Sequence, residues 1–139
     1  MLLFPKKTKF KNLYNRKKMR FLNKPIFKSS IKTFTIVSLE AAKINNKQIE
    51  SLSKTLKRLL KSNGKYWIKW FPNKTTTKKP EGSRMGKGKG SPKFWHLSTF
   101  KGTVIAEMNG CCSWNKIKKI IQCVKNKLSV KVFLTFNNA

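Results

Sequence analysis

The sequence predicts an α+β fold: a two-layer sandwich in which two helices lie on one face of a mainly antiparallel sheet, with a basic N-terminal arm and a long Gly/Lys loop. Three observations predict it. Two segments place apolar residues at helical spacing, several short runs are rich in β-branched and aromatic residues, and these alternate as strand, helix, strand, loop, strand, strand, helix, strand. At 139 residues the chain is about one domain long and supports one modest core. Residues 1–32 read as the arm and 33–139 as a single domain that includes the loop 73–92.

The arm carries Lys6, Lys7, Lys9, Lys11, Arg16, Lys17, Lys18 and Arg20 between Phe4, Phe10, Tyr14, Phe21 and Phe27, with no period of 2 or 3.6. It reads either as a segment that orders on a polyanion or as a disordered tail, and its aromatics favour the first. Thr33 to Lys43 is β-rich and predicts one strand. Asn45 with Gln48 forms a capping box for a helix whose stripe is Ile49, Leu52, Leu56, Leu59 and Leu60, with Gly64 as its stop. Tyr66 to Phe71 predicts a strand with Tyr66, Ile68 and Trp70 on one face and Trp67, Lys69 and Phe71 on the other, ended by Pro72.

Residues 73–92, with their threonines, glycines and lysines, predict a long loop. Phe94 to Thr99, Thr103 to Met108 and Val130 to Phe136 predict further strands, the first two joined by a turn at Lys101-Gly102. Ser113 caps a second helix running to Leu128, striped by Ile117, Ile120, Ile121, Val124 and Leu128.

Charge dominates the functional reading. The chain holds 33 basic residues against 4 acidic ones, a formal +29, so a compact domain repels itself until a polyanion supplies counter-charge. Lys and Arg are spread over nearly every segment, and no isolated basic amphipathic helix or lipidation signal stands out, which favours nucleic acid over a membrane surface. No apolar run approaches the roughly 20 residues of a membrane span, so no membrane insertion is expected.

The sharpest local feature is Arg84-Met85-Gly86-Lys87-Gly88-Lys89-Gly90. Alternating glycine permits positive φ and close backbone approach to phosphates, and the lysines set ammonium groups beside them. It is not a Walker A loop, because Gly82 and Gly86 are one residue too close and Gly88 follows Lys87 where a magnesium-holding hydroxyl is needed. The bland reading, a flexible linker, does not account for Arg84 and Met85.

Elsewhere the chemistry is sparse. His96 reads as a satisfied structural histidine. Glu40, Glu50, Glu81 and Glu107 are too scattered for a carboxylate pair, so no catalytic residue is assigned. Cys111, Cys112 and Cys123 match no zinc spacing and read as free thiols, so no metal and no cofactor is expected. Trp67 and Trp95 are expected in the core, while Trp70 and Trp114 are left unassigned between core and base stacking.

Several ordered motifs together resemble the universal large-subunit ribosomal protein number sixteen: PKKTKF at residues 5–10, QIE at 48–50, GKYWIKWFP at 64–72, RMGKGKG at 84–90, and Glu107-Met108-Asn109-Gly110. The resemblance implies a non-catalytic protein that binds large-subunit rRNA, beside neighbouring large-subunit proteins, and reaches toward the acceptor end of tRNA near the peptidyl-transferase centre. It assigns Arg84, Met85, Gly86, Lys87, Gly88 and Lys89 to the reaching loop and Lys6, Lys7, Lys9 and Lys11 to the rRNA-binding arm, which the chain's own run of charge extends through Arg16, Lys17, Lys18 and Arg20. A start at the family's own first residues, together with 29 Lys against four Arg and many Asn, Ile and Phe, predicts synthesis inside an organelle, a mitochondrion, without import. A free-standing RNA-binding or ribosome-assembly factor is the alternative.

Overall fold

The computed structural model describes residues 3–9, 33–61, 64–86, 88–110 and 113–137. Its first departure from expectation falls in residues 33–43, which form two strands rather than one: β1 (Thr33–Ser38) and β2 (Ala42–Asn45). The strands are separated at a corner where Ser38 Oγ donates to the Glu40 carbonyl at 2.7 Å and the Leu39 amide donates to the Lys131 carbonyl at 2.9 Å. A β-rich composition favours extended backbone but carries no signal for such a change of sheet.

β2 runs directly into α1 (Asn46–Leu60). The Asn45 amide donates to Gln48 Oε1 at 2.9 Å, so the glutamine side chain satisfies an amide at the helix start as the sequence suggests. Ile49, Leu52, Leu56 and Leu60 are buried. The helix ends earlier than Gly64. Lys61 takes the positive φ of 48° while its amide bonds the Lys57 carbonyl at 3.0 Å. Gly64 instead opens β3 (Gly64–Ile68), where it faces Gly110.

Past β3 the alternation continues, the Lys69 amide donating to the Ile105 carbonyl at 3.0 Å, with Trp70 buried and Phe71 exposed. Trp67 departs from its expected core position: it is 40% exposed, because it occupies the sheet face turned away from the helices, between exposed Lys65 and Lys69.

The predicted loop 73–92 is partly strand. β4 (Lys74–Lys78) pairs antiparallel with β5 (Ser91–Thr99), leaving only residues 79–90 as loop. The three consecutive β-branched threonines, Thr75, Thr76 and Thr77, supply the strand preference that the surrounding lysines and glycines obscure. Pro92 fits inside β5 because it lies opposite Thr77 alone. β2 reaches only as far as His96, so no ladder amide is needed on the other side.

β6 (Val104–Gly110), α2 (Trp114–Lys125) and β7 (Val132–Asn137) complete the chain. Ser113 precedes α2 with extended backbone, φ −60° and ψ 149°, and the helix ends before Leu128.

The strands form two antiparallel sheets, β3-β6-β1-β7 and β2-β5-β4. Cross-strand register places Phe34, Ile36, Tyr66, Ile68, Ala106, Met108 and Leu134 on one face of the larger sheet. Those residues share a core with Leu52, Leu56 and Leu60 of α1 and Ile120 and Val124 of α2. The α+β sandwich with two helices is therefore present, built on two sheets where one was expected.

Two tests follow from packing in these sheets. A Cβ at Gly64 would stand 2.7 Å from the Asn109 carbonyl oxygen, a backbone atom held by pairing in the larger sheet. Gly64→Ala is expected to destabilise the fold by about 1–3 kcal/mol, read as a lower urea midpoint with an unchanged slope.

His96 is buried between β2 and β4, with Nδ1 2.8 Å from Thr76 Oγ1. Burial first, then the charges of Lys43 and Lys74, push its pKa below the ordinary value near 6.5. Above that value both folded and unfolded chains hold it neutral. As pH falls through it, the unfolded chain takes up a proton that the folded chain refuses, so stability drops until the lower folded value is passed. Urea midpoints measured from pH 7.5 to 5 should fall for the native chain and stay nearly level for His96→Gln.

Candidate nucleic-acid interface

All four carboxylates are engaged by lysine: Glu40 with Lys131 at 3.1 Å, Glu50 with Lys54 at 3.0 Å, Glu81 with Lys78 at 2.9 Å and Glu107 with Lys69 at 3.2 Å. The Lys54 hydrogen bond and charge lower the Glu50 pKa. The exposed pairs contribute little to stability, and their larger effect is on the surface field. No glutamate side chain is left unpaired to repel a polyanion, while a formal +29 remains in excess.

The Gly/Lys loop projects from the β4–β5 hairpin. Its base is shaped by Ser83, whose hydroxyl and amide both donate to the Pro80 carbonyl, at 3.0 and 3.3 Å, and by the Lys78–Glu81 pair. Lys79 Nζ donates to the Gly86 carbonyl across the loop. Gly86 and Gly88 adopt φ of 92° and 82°, the left-handed backbone expected of the alternating glycines. Arg84 and Lys89 are exposed, and Met85 is 101% exposed at the tip. Lys87 lies outside the described residues. A methionine side chain set wholly in water, beside arginine and between backbone turns, is arranged for contact with something outside the chain.

In the arm, Lys6, Lys7 and Lys9 are exposed, and Leu3 packs against the core, which ties the start of the arm to the domain. Lys11, Arg16, Lys17, Lys18 and Arg20 lie outside the described residues, as do Cys111 and Cys112; Cys123 is a half-buried free thiol. Among the described residues no group of His, Cys, Asp and Glu is placed to hold a metal, and no helix is long and apolar enough to cross a membrane.

Two basic features were not singled out in the sequence. Lys47, Lys54, Arg58 and Lys127 surround a groove of about 550 Å³ on the outer side of α1. At the start of α2, Trp114 is 58% exposed with Lys118 Nζ 5.7 Å from its ring centroid, a cation–π pair that leaves the indole available for stacking. Helical spacing gives the signal for Lys47, Lys54 and Arg58, which lie opposite the apolar stripe of α1, whereas Trp114 borders the stripe of α2 three residues before Ile117 and Lys127 comes from the segment after that helix. Trp95, expected in the core, is half-buried.

A uniformly basic surface, paired carboxylates and a glycine-rich cationic loop on a small α+β scaffold define a protein built to lie against a polyanion. Comparison with known proteins makes this specific. The family described as ribosomal protein L16p/L10e matches residues 5–134. The chain is 38% identical over 109 residues, 78% of its length, to large ribosomal subunit protein uL16c of Oltmannsiellopsis viridis, covering 81% of that protein. It is equally identical, over 78% of both chains, to large ribosomal subunit protein uL16 of Bifidobacterium adolescentis, and 32% identical over 94% of its length to uL16c of Gossypium barbadense, covering 95% of it. The chain belongs to the ribosomal protein L16p/L10e family, a family of ribosomal structural proteins, and is not an enzyme.

Proposed function

We propose that this chain is a structural constituent of the large ribosomal subunit that binds large-subunit rRNA through its basic arm and surface. Its Gly/Lys loop is placed near the tRNA acceptor end and the peptidyl-transferase centre. The observation that carries the reading is the fully exposed Arg84-Met85 tip, at the end of a hairpin, in a family whose relatives are named as large-subunit proteins.

The physical mechanism is neutralisation of rRNA phosphates by Lys and Arg, with release of condensed counterions, so affinity falls steeply as salt rises. Phosphate contacts fix register and orientation, and the folded core sets the distance between the arm and the loop. Recognition by shape suits this chemistry better than base reading, because the cations are distributed over the surface and are predominantly lysine. The strong bias to Lys over Arg, with many Asn, Ile and Phe, supports synthesis from an AT-rich organellar genome, and we place the protein in the mitochondrial matrix on that ground.

Sedimentation of a mitochondrial lysate after a high-salt wash, with mass spectrometry across the gradient, tests the reading. Stoichiometric retention in the large-subunit peak is expected. Presence only in precursor particles or at the top of the gradient would replace it with an assembly-factor or free RNA-binding role.

The loop assignment has its own test. Replacing Lys87 and Lys89 together with Ala is expected to slow tRNA accommodation while subunit assembly stays near normal. Translation unchanged by the double replacement would remove the loop from the functional site.

A further inference from the structure

At the end of β5 opposite the Gly/Lys loop, a groove of about 500 Å³ opens between the segment after β3 and the β5–β6 turn, walled in part by Trp70, Phe71, Phe100 and Lys101. The volume falls in the range of roughly 300–1,000 Å³ common to small-molecule pockets. Trp70 is only 4% exposed, and its Nε1 has no hydrogen-bond partner.

Two other buried side-chain atoms among the described residues share that condition, Thr35 Oγ1 and His96 Nε2. A hydroxyl can rotate, and an imidazole nitrogen can present a lone pair instead of a proton. An indole N–H is a donor in every state, so Trp70 alone has an unavoidable need for an acceptor.

The neighbouring polar groups do not supply one. Thr103 Oγ1 donates to the Phe100 carbonyl at 2.6 Å and receives the Phe100 amide at 3.1 Å. Thr99 Oγ1 donates to the Ala42 carbonyl at 3.1 Å, and Lys69 holds Glu107. Around the buried donor stand an aromatic ring, Phe71, that is 49% exposed, and an exposed cation, Lys101.

We propose that this groove receives one unpaired, outward-turned base of an RNA strand. The base stacks on Phe71 and sets its phosphate beside Lys101, and by shifting the cover over Trp70 it brings a ring nitrogen or carbonyl oxygen to the Nε1 donor that the closed groove leaves unpaired. A π face, a hydrogen-bond acceptor and a negative charge in one small unit describe a nucleotide; an apolar protein side chain offers no charge for Lys101. The inference rests on the rRNA-binding reading above and adds to it a single-base site at the end of β5 opposite the loop.

Irradiation of intact large subunits at short ultraviolet wavelength, followed by nuclease and protease digestion and mass spectrometry, is expected to give a nucleotide adduct on the peptide containing Trp70-Phe71 or Phe100-Lys101. In parallel, the full chain is titrated with a large-subunit rRNA transcript. Phe71→Ala, a change at an exposed position, and Trp70→Phe, which keeps an aromatic ring and removes the N–H, should each weaken binding about ten-fold.

Adducts confined to arm and loop peptides, a cross-link from this groove to a neighbouring protein, or native affinity in both variants would overturn the base site while leaving rRNA binding in place. Failure of the native chain to bind the transcript or to cross-link anywhere would remove both.

Discussion

Mutual repulsion among 29 uncompensated positive charges is the constraint under which every other part of this molecule is arranged. A core built from one small domain must hold the chain together against that repulsion when no polyanion is present. The apolar stripes of both helices are accordingly kept clear of charge, and the lysines flanking them lie on the solvent side. The four carboxylates go to lysines on the surface, and none is spent inside a site. A partner that brought phosphates would relieve the repulsion and be bound for the same reason, so stability and such binding would respond to salt in opposite directions. Added salt screens the free domain's self-repulsion and competes with the bound state.

Division into two sheets serves this arrangement. The four-stranded sheet and the two helices contain most of the apolar packing, whereas the three-stranded sheet carries the loop. His96, the one buried titratable base among the described residues, sits at the centre of the smaller sheet, where neighbouring lysines and burial both act to keep it neutral. A polar residue tolerated there is one that adds no further charge to a molecule with too much of one sign.

Local physics made much of the fold legible. Both helices were readable because apolar residues recur at 3.6-residue spacing and because Asn45 with Gln48 and Ser113 mark the starts. What escaped was non-local. The corner at Ser38–Glu40 depends on bonds from the Ser38 and Leu39 amides to the Thr103 and Lys131 carbonyls, which a reading of residues 33–43 cannot supply. Gly64 looked like a helix terminator by type, but its position is fixed by the approach of the Asn109 carbonyl from another strand. β4 was hidden because lysine and glycine around the three threonines suggested a loop, and strand pairing with β5 overrode composition. At the candidate site, the glycine pattern correctly foretold left-handed backbone at Gly86 and Gly88. The exposure of Trp67 and Trp114 needed the third dimension, since side-chain type gives burial only as an average.

The chain leaves β2 and enters α1 at Asn45 without an intervening loop, and β2 is bonded along its length to β5, which returns from the Gly/Lys tip. Backbone hydrogen bonds between β5 and β2 thus join the strand returning from the tip to the first turn of the helix. A pull on the tip is borne in shear by that ladder and delivered to α1 as a push or pull along its axis. The hairpin is in this sense a cantilever whose wall is a helix, and its stiffness is set by residues 42–45 and 96–99, at the end away from the tip.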